Sequence, residues 1–226
     1  MGTRSDVRTQ EGGRMDRTVG RAAATFGHGA AIVAALATVA TLLMSADAEG
    51  QISVELAHGS EAEERTRDQL LRLVDEYDVS AWLYTDRVII DQTQIPHSHP
   101  VLTLHTRHLG DDPHLLSTFV HEQFHWLEDG KTLGRFRAAM RDFEEMFPEV
   151  PSSDEGGARD DESTYRHLLV CDLEFQAMSR LMGEDQARAL MASITHYEWI
   201  YETVLTDPRV RDVVVRHGFA LDDLPR

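Results

Sequence analysis

The sequence predicts an α+β domain, predominantly helical, with a small β element placed just before a central helix. Three observations predict it. Apolar residues recur at helical spacing through most of the chain after residue 113. Two short β-rich runs, 82–90 and 101–107, lie immediately ahead of that region. Helix start and stop signals then fall at regular places along the second half. The 226 residues, 42% hydrophobic and 27% charged, suffice for one ordinary core.

In chain order, residues 61–78 place Leu70, Leu71, Val74 and Tyr77 at helical spacing among charges, an amphipathic first helix. Residues 82–90 read as a strand and 92–100, with two prolines and two histidines, as a loop. Residues 101–107 read as a second strand, with Leu102 and Leu104 on one face. Asp111-Asp112-Pro113 supplies capping carboxylates and a first-turn proline for a helix over 113–129. That helix is apolar around most of its circumference and is therefore expected to be central and buried. Gly130 stops it, and 131–147 forms a further amphipathic helix closed by Pro148. Residues 151–161 form a surface loop. A long helix over 162–182 ends at Gly183, another covers 184–205, and Asp207-Pro208 caps a short last helix to Arg216.

The N-terminus reads differently. Arg14, Arg17 and Arg21 precede an uncharged run, 22–46, and Ala46-Asp47-Ala48 follows it. A basic region, an apolar segment and a small-x-small site make a secretory signal, with cleavage expected after Ala48. An uncleaved single membrane anchor is the alternative reading of the same stretch. Either one exports a single domain over 49–226, and contact with a membrane is expected only for the uncleaved form.

Charge and cysteine count narrow the chemistry. Lys and Arg number 22 against 39 Asp and Glu, a formal charge of −17, so binding nucleic acid through phosphate neutralisation is not expected. Cys171 is the only cysteine, which excludes an intramolecular disulfide and a cysteine-rich zinc module. A metal must be held by carboxylates and some of the 12 histidines.

His121-Glu122-Gln123-Phe124-His125 is an H-E-x-x-H sequence on a predicted helix. Four residues are about 400° of helix, so His121 and His125 project from one face a turn apart and can share a Zn²⁺ ion. Glu122, one residue round, can take a proton from water without being a ligand. Two imidazoles and a carboxylate on an apolar helix would each cost about 1–3 kcal/mol if left unpaired, and a metal accounts for them. The alternative is a hydrogen-bonded core pair.

With that motif behind a strand, the chain over about 101–129 resembles the zincin metallopeptidases. The resemblance implies a zincin-like fold, one catalytic Zn²⁺ and a third ligand from downstream. Glu128 and Lys131 stand where the metzincin extension has Gly and His. The gluzincin-like ligand set instead takes a Glu from a second helix. Glu144 and Glu145 lie among Arg135, Arg137 and Arg141 on a charged face, and 160–162 sit at a helix start where acids suit the dipole. Glu174 lies mid-helix in an apolar stretch and is the expected third ligand. An acid a turn later is often part of the gluzincin pattern, but this chain has Met178.

His167, seven residues before Glu174 on nearly the same face, is expected to hydrogen-bond an oxyanion, a task zincins often give to a His or Tyr. Otherwise it is a satisfied core histidine. Residues 196–201 form an aromatic cluster with polar tips, read either as packing or as Tyr197, Tyr201 or His196 lining the cleft, with Tyr197 the catalytic candidate. His97, His99, His105 and His108 suggest either an accessory metal site or solvated loop residues.

The expected activity is hydrolysis of a peptide or protein substrate, with Glu122 as general base. The strand over 101–107, if it edges the cleft, would bind an extended substrate backbone antiparallel by main-chain hydrogen bonds. An inactive zincin scaffold used for binding, and a zinc hydrolase of other amides or esters, are the alternatives.

Overall fold

Strands too short to be stable alone need a covering helix, and the first elements of the chain supply one. The computed structural model describes residues 52–225, so the secretory signal, its cleavage site and the alternative anchor lie outside the described residues. Strand β1 (Ser53–Leu56), helix α1 (Glu61–Glu76) and strand β2 (Arg87–Ile90) form a parallel unit with Val54 opposite Val88. Strand β3 (Leu102–Leu104) adds parallel to β2, with Val88 opposite Leu102, to give the order β1-β2-β3. Val88, Ile90, Leu102 and Leu104 are fully buried.

Six helices follow: α2 (Asp112–Phe124), α3 (Leu133–Met146), α4 (Asp161–Met182), α5 (Glu184–Ser193), α6 (Glu198–Thr206) and α7 (Pro208–Arg216). Helix α4 is the axis of the domain and packs against α2, α3, α5, α6 and α7. Its middle is buried all round, including Leu168, Leu169, Val170, Cys171 and Leu173. Starts follow the expected caps: Asp111, Asp160 and Asp207 accept from His114 N, Ser163 N and Arg209 N. No helix among the described residues is long and apolar enough to cross a membrane.

The structure corrects the expected elements in several places. Only the last four residues of 82–90 are strand. Residues Ser80–Trp82 form a 3-10 turn that buries Trp82, 6.3 Å from the Phe124 ring. The second strand stops at Leu104 because the His105 side chain accepts from Arg107 N at 2.7 Å and turns the chain into a 3-10 turn, Thr106–His108. Strand β1 escapes sequence reading, since four residues are too few for an alternation to stand out. Residues 184–205 are two helices, broken at 194–197, where Tyr197 adopts φ 60° and ψ 32°.

The expectation that β3 offers its edge to a substrate is also overturned. His97 N donates to Thr103 O at 3.1 Å and Thr103 N donates to His97 O at 2.7 Å, so the outward edge is already paired within the chain.

Two polar side chains lock the sheet to the helices. Gln123 accepts from Tyr84 N at 2.9 Å and Thr85 N at 3.0 Å and donates to Thr85 O at 2.9 Å, fixing α2 against the segment that enters β2. Buried Glu63 accepts from His58 N at 2.9 Å, Ser60 N at 3.3 Å and Gln92 N at 3.2 Å, joining the loops after β1 and β2. Burial raises the Glu63 pKa, but these backbone donors outweigh it and hold the carboxyl below its ordinary 4.5. A depressed carboxyl pKa gives stability that is present above the unfolded value and lost as pH falls through the folded one. Glu63→Gln should therefore be less stable at neutral pH and show a weaker loss of stability below pH about 4.5, read from urea midpoints across pH.

Candidate metal centre

The H-E-x-x-H residues occupy the last turn of α2. Helix α2 ends at Phe124, and His125–Glu128 continue as a 3-10 turn. Thr132 Oγ1 closes that turn by donating to Leu127 O at 2.5 Å and Asp129 O at 2.8 Å. The motif's inner residues are structural: Gln123 docks on the backbone at 84–85 and Phe124 enters the core. With that rotation set, His121, Glu122 and His125 line a cleft of about 750 Å³.

The third imidazole is that of His167 on α4. Ligand atoms of His121, His125 and His167 all lie within 4.8 Å of one another. Each ring is held through Nδ1 by an oxygen. His121 Nδ1 lies 2.8 Å from Glu174 Oε2, His125 Nδ1 lies 2.6 Å from Glu128 Oε1, and His167 Nδ1 lies 2.6 Å from Ser163 O. A backbone carbonyl only accepts, so His167 donates through Nδ1, and a neutral ring then carries its lone pair on Nε2. His121 Nε2 and His125 Nε2 face each other at 3.2 Å. Two lone pairs at that distance repel unless a cation or a proton lies between them.

The electrostatics point the same way. Burial, with His121 as neighbour, drives His125 and His167 well below the ordinary histidine value. Burial also disfavours charge on His121, but Glu174 and then Cys171 overcome it and raise His121 well above that value. Of the three rings, His121, beside Glu174, is therefore the one whose charged form is favoured.

The structure does not bring Glu174 to the side of His121 that faces His125. Glu174 is 1% exposed and meets His121 at Nδ1, while His125 meets it at Nε2. Both carboxylate oxygens are already engaged: Ser117 donates to Oε1, and Tyr201 donates to Oε2 at 2.9 Å. Glu174 thus groups with His121 and not with His125, so the structure does not gather the expected set of His121, His125 and Glu174 around one point. A second grouping of donors, His121, Cys171 and Glu174, lies on that far side. Burial keeps the Cys171 thiol above its ordinary pKa, and a protonated thiol is a poor ligand.

Glu122 lies beside this centre and lines the cleft. Burial is the main cause that pushes it up to about 7, against the lowering effect of His121 and His97. Tyr197 lines the same cleft with its ring 4.4 Å from that of His167, so the break between α5 and α6 brings it to the site. The histidines read as a second metal group are dispersed. His99 meets Asp129 at 3.1 Å, His105 caps a turn, and His108 stacks on His114.

Sequence reasoning missed Ser117, Glu128 and Tyr201 as orienting groups. Ser117 stands four residues before His121 and Glu128 three after His125, spacings that share a helix face. Tyr201 was expected only as a residue lining the cleft, which it does, and its bond to Glu174 had no local signal. No family model, curated protein or solved structure matches the chain, so the zincin resemblance rests on the motif and its surroundings.

The left-handed Tyr197 is held from outside. Trp199 N donates to Gly156 O at 3.1 Å, and a Cβ on Gly156, whose φ is 93°, would stand 2.7 Å from Trp199 N. Gly156→Ala should push the loop off α6 and cost about 1–3 kcal/mol in chemical denaturation.

Proposed function

We propose that the chain is an exported zinc-dependent metallopeptidase in which His121, His125 and His167 hold the ion and Glu122 is the general base. Export rests on the uncharged run and the Ala46-Asp47-Ala48 site in the sequence. One observation carries the metal assignment. Three imidazoles each bring a ring nitrogen within 4.8 Å of the others, His121 and His125 meet through Nε2, and every Nδ1 already has an oxygen partner, the arrangement that fixes ligand tautomer and orientation in histidine metal sites. Zinc held by three nitrogens would leave one coordination position for water and lower that water's pKa to about 7.

The chain's own residues supply the remaining steps. Glu122, with a pKa pushed up to about 7, is poised to accept the water proton and return it to the leaving amine. Tyr197 lines the cleft beside His167 and is positioned to hydrogen-bond the developing oxyanion. His167 takes the ligand role in place of the oxyanion role expected from sequence, because its Nδ1 is committed to Ser163 O. Glu174, Glu128 and the Ser163 carbonyl orient the three rings, and Ser117 and Tyr201 hold Glu174 in turn.

Elemental analysis of the purified chain should find near-stoichiometric zinc, with a large loss in His167→Ala. Glu174→Ala should bind zinc about 10–100-fold more weakly while still binding it. Full zinc in His167→Ala would overturn the three-histidine assignment. Glu122→Gln should keep its zinc and lose about 10²–10⁴-fold in turnover of an unfolded protein substrate. Retained activity would remove Glu122 from the mechanism.

A further inference from the structure

The arginines that line the cleft differ in their pairing. Near Glu128 the arginines are engaged: Arg166 Nε lies 2.8 Å from Glu128 Oε2, and Arg159 Nε lies 3.0 Å from Asp160 Oδ2. At the other end, beside His114 and the start of α2, Arg107 is exposed. Its guanidinium makes no ion pair or hydrogen bond among the described residues. It lines that wall with His108, His114 and His196.

The neighbouring acid, Asp111, is held by His114 and makes no bond to Arg107 among the described residues. Asp111 Oδ2 lies 2.9 Å from His114 Nδ1, and Oδ1 accepts from His114 N as the cap of α2. Burial first, then His114 and Arg107, push His108 down to about 4 against the opposing pull of Asp111. Burial and His121 lower His196 too, with Arg107 and His114 adding to them against Glu174. A chain of formal charge −17 thus presents at its cleft a guanidinium that has no ion pair among the described residues.

We propose that this end is a subsite for a carboxylate of the substrate, with the Arg107 guanidinium as its charge partner. The inference rests on reading the cleft as a peptide-hydrolysing site and adds the substrate class: peptides with an acidic group on one side of the scissile bond. His114 precedes His121 by seven residues, which is about 10 Å along the axis of α2. An extended chain advances about 3.3 Å per residue, so the carboxylate sits about three residues from the bond. A side chain or the peptide's own C-terminus can provide it.

The test steps a single Asp through N-acetylated, C-terminally amidated peptides, with Asn as the matched neutral residue. A second set has no acidic side chain and a free C-terminal carboxylate at the same distance. Wild type should prefer Asp over Asn by about tenfold in kcat/KM at one position near three residues from the bond. Arg107→Glu should abolish that ratio and favour Lys. A response confined to the second set keeps the subsite and assigns it to the C-terminus.

The same acidic preference in wild type, Arg107→Ala and Arg107→Glu overturns the inference, as does cleavage with no preference. Zinc content and thermal midpoints show whether each variant is folded. If no peptide is cleaved, binding of the same peptides to zinc-loaded Glu122→Gln decides. An Asp-to-Asn ratio that vanishes in Glu122→Gln/Arg107→Glu upholds the carboxylate subsite while the hydrolytic reading falls. Equal binding overturns the subsite.

Discussion

Everything at the candidate centre depends on one buried carboxylate between two packed helices. Glu174 lies in the middle of α4, and with almost no access to water it needs donors from the protein. Helix α2 supplies Ser117 and His121, and α6 supplies Tyr201. Apolar contacts such as those of Phe119, Leu168 and Leu169 favour burying these helices together without fixing their rotation. The directional bonds to Glu174 fix it. A helix turned by one residue, about 100°, would strand the carboxylate and move both motif histidines off the cleft.

Much of this was legible locally. The caps at Asp111, Asp160 and Asp207 and the stop at Gly183 act within a few residues, so their signals lie in the chain itself. His121, Glu122 and His125 were legible because one helical turn contains their geometry. His167 was expected at the site, but as an oxyanion donor and not as the third imidazole. His167 and Glu174 share one face of α4 about 10 Å apart, and which of them meets α2 at the Nε2 side depends on where the two helices cross. The break at 194–197 was hidden for a related reason. No glycine or proline marks it, and the left-handed Tyr197 is sustained by the distant loop at Gly156.

The cleft combines two kinds of construction. Its floor comes from α2 and α4, whose polar groups are tied to each other through Glu174 and through the Glu128–Arg166 pair. Its walls come from connecting segments: 95–99, 105–108 and the turn at 193–197. Ile95 is 73% exposed on one of them, whereas His121 and His167 are buried. Substitutions in these walls can reshape what is bound while the floor keeps its alignment.

Gln123 has a further consequence through its three bonds to the backbone at 84–85. They hold the rotation of α2 together with the bonds to Glu174, and each of the three histidines has its Nδ1 partner from the polypeptide alone. Little conformational freedom is left in these rings, so on the proposed metal reading most of the ligand-ordering entropy would be expended during folding. On the proposed metal reading, loading and unloading of an ion would be exchange at a standing socket, and a chain stripped of it would be refilled without having to find its fold again.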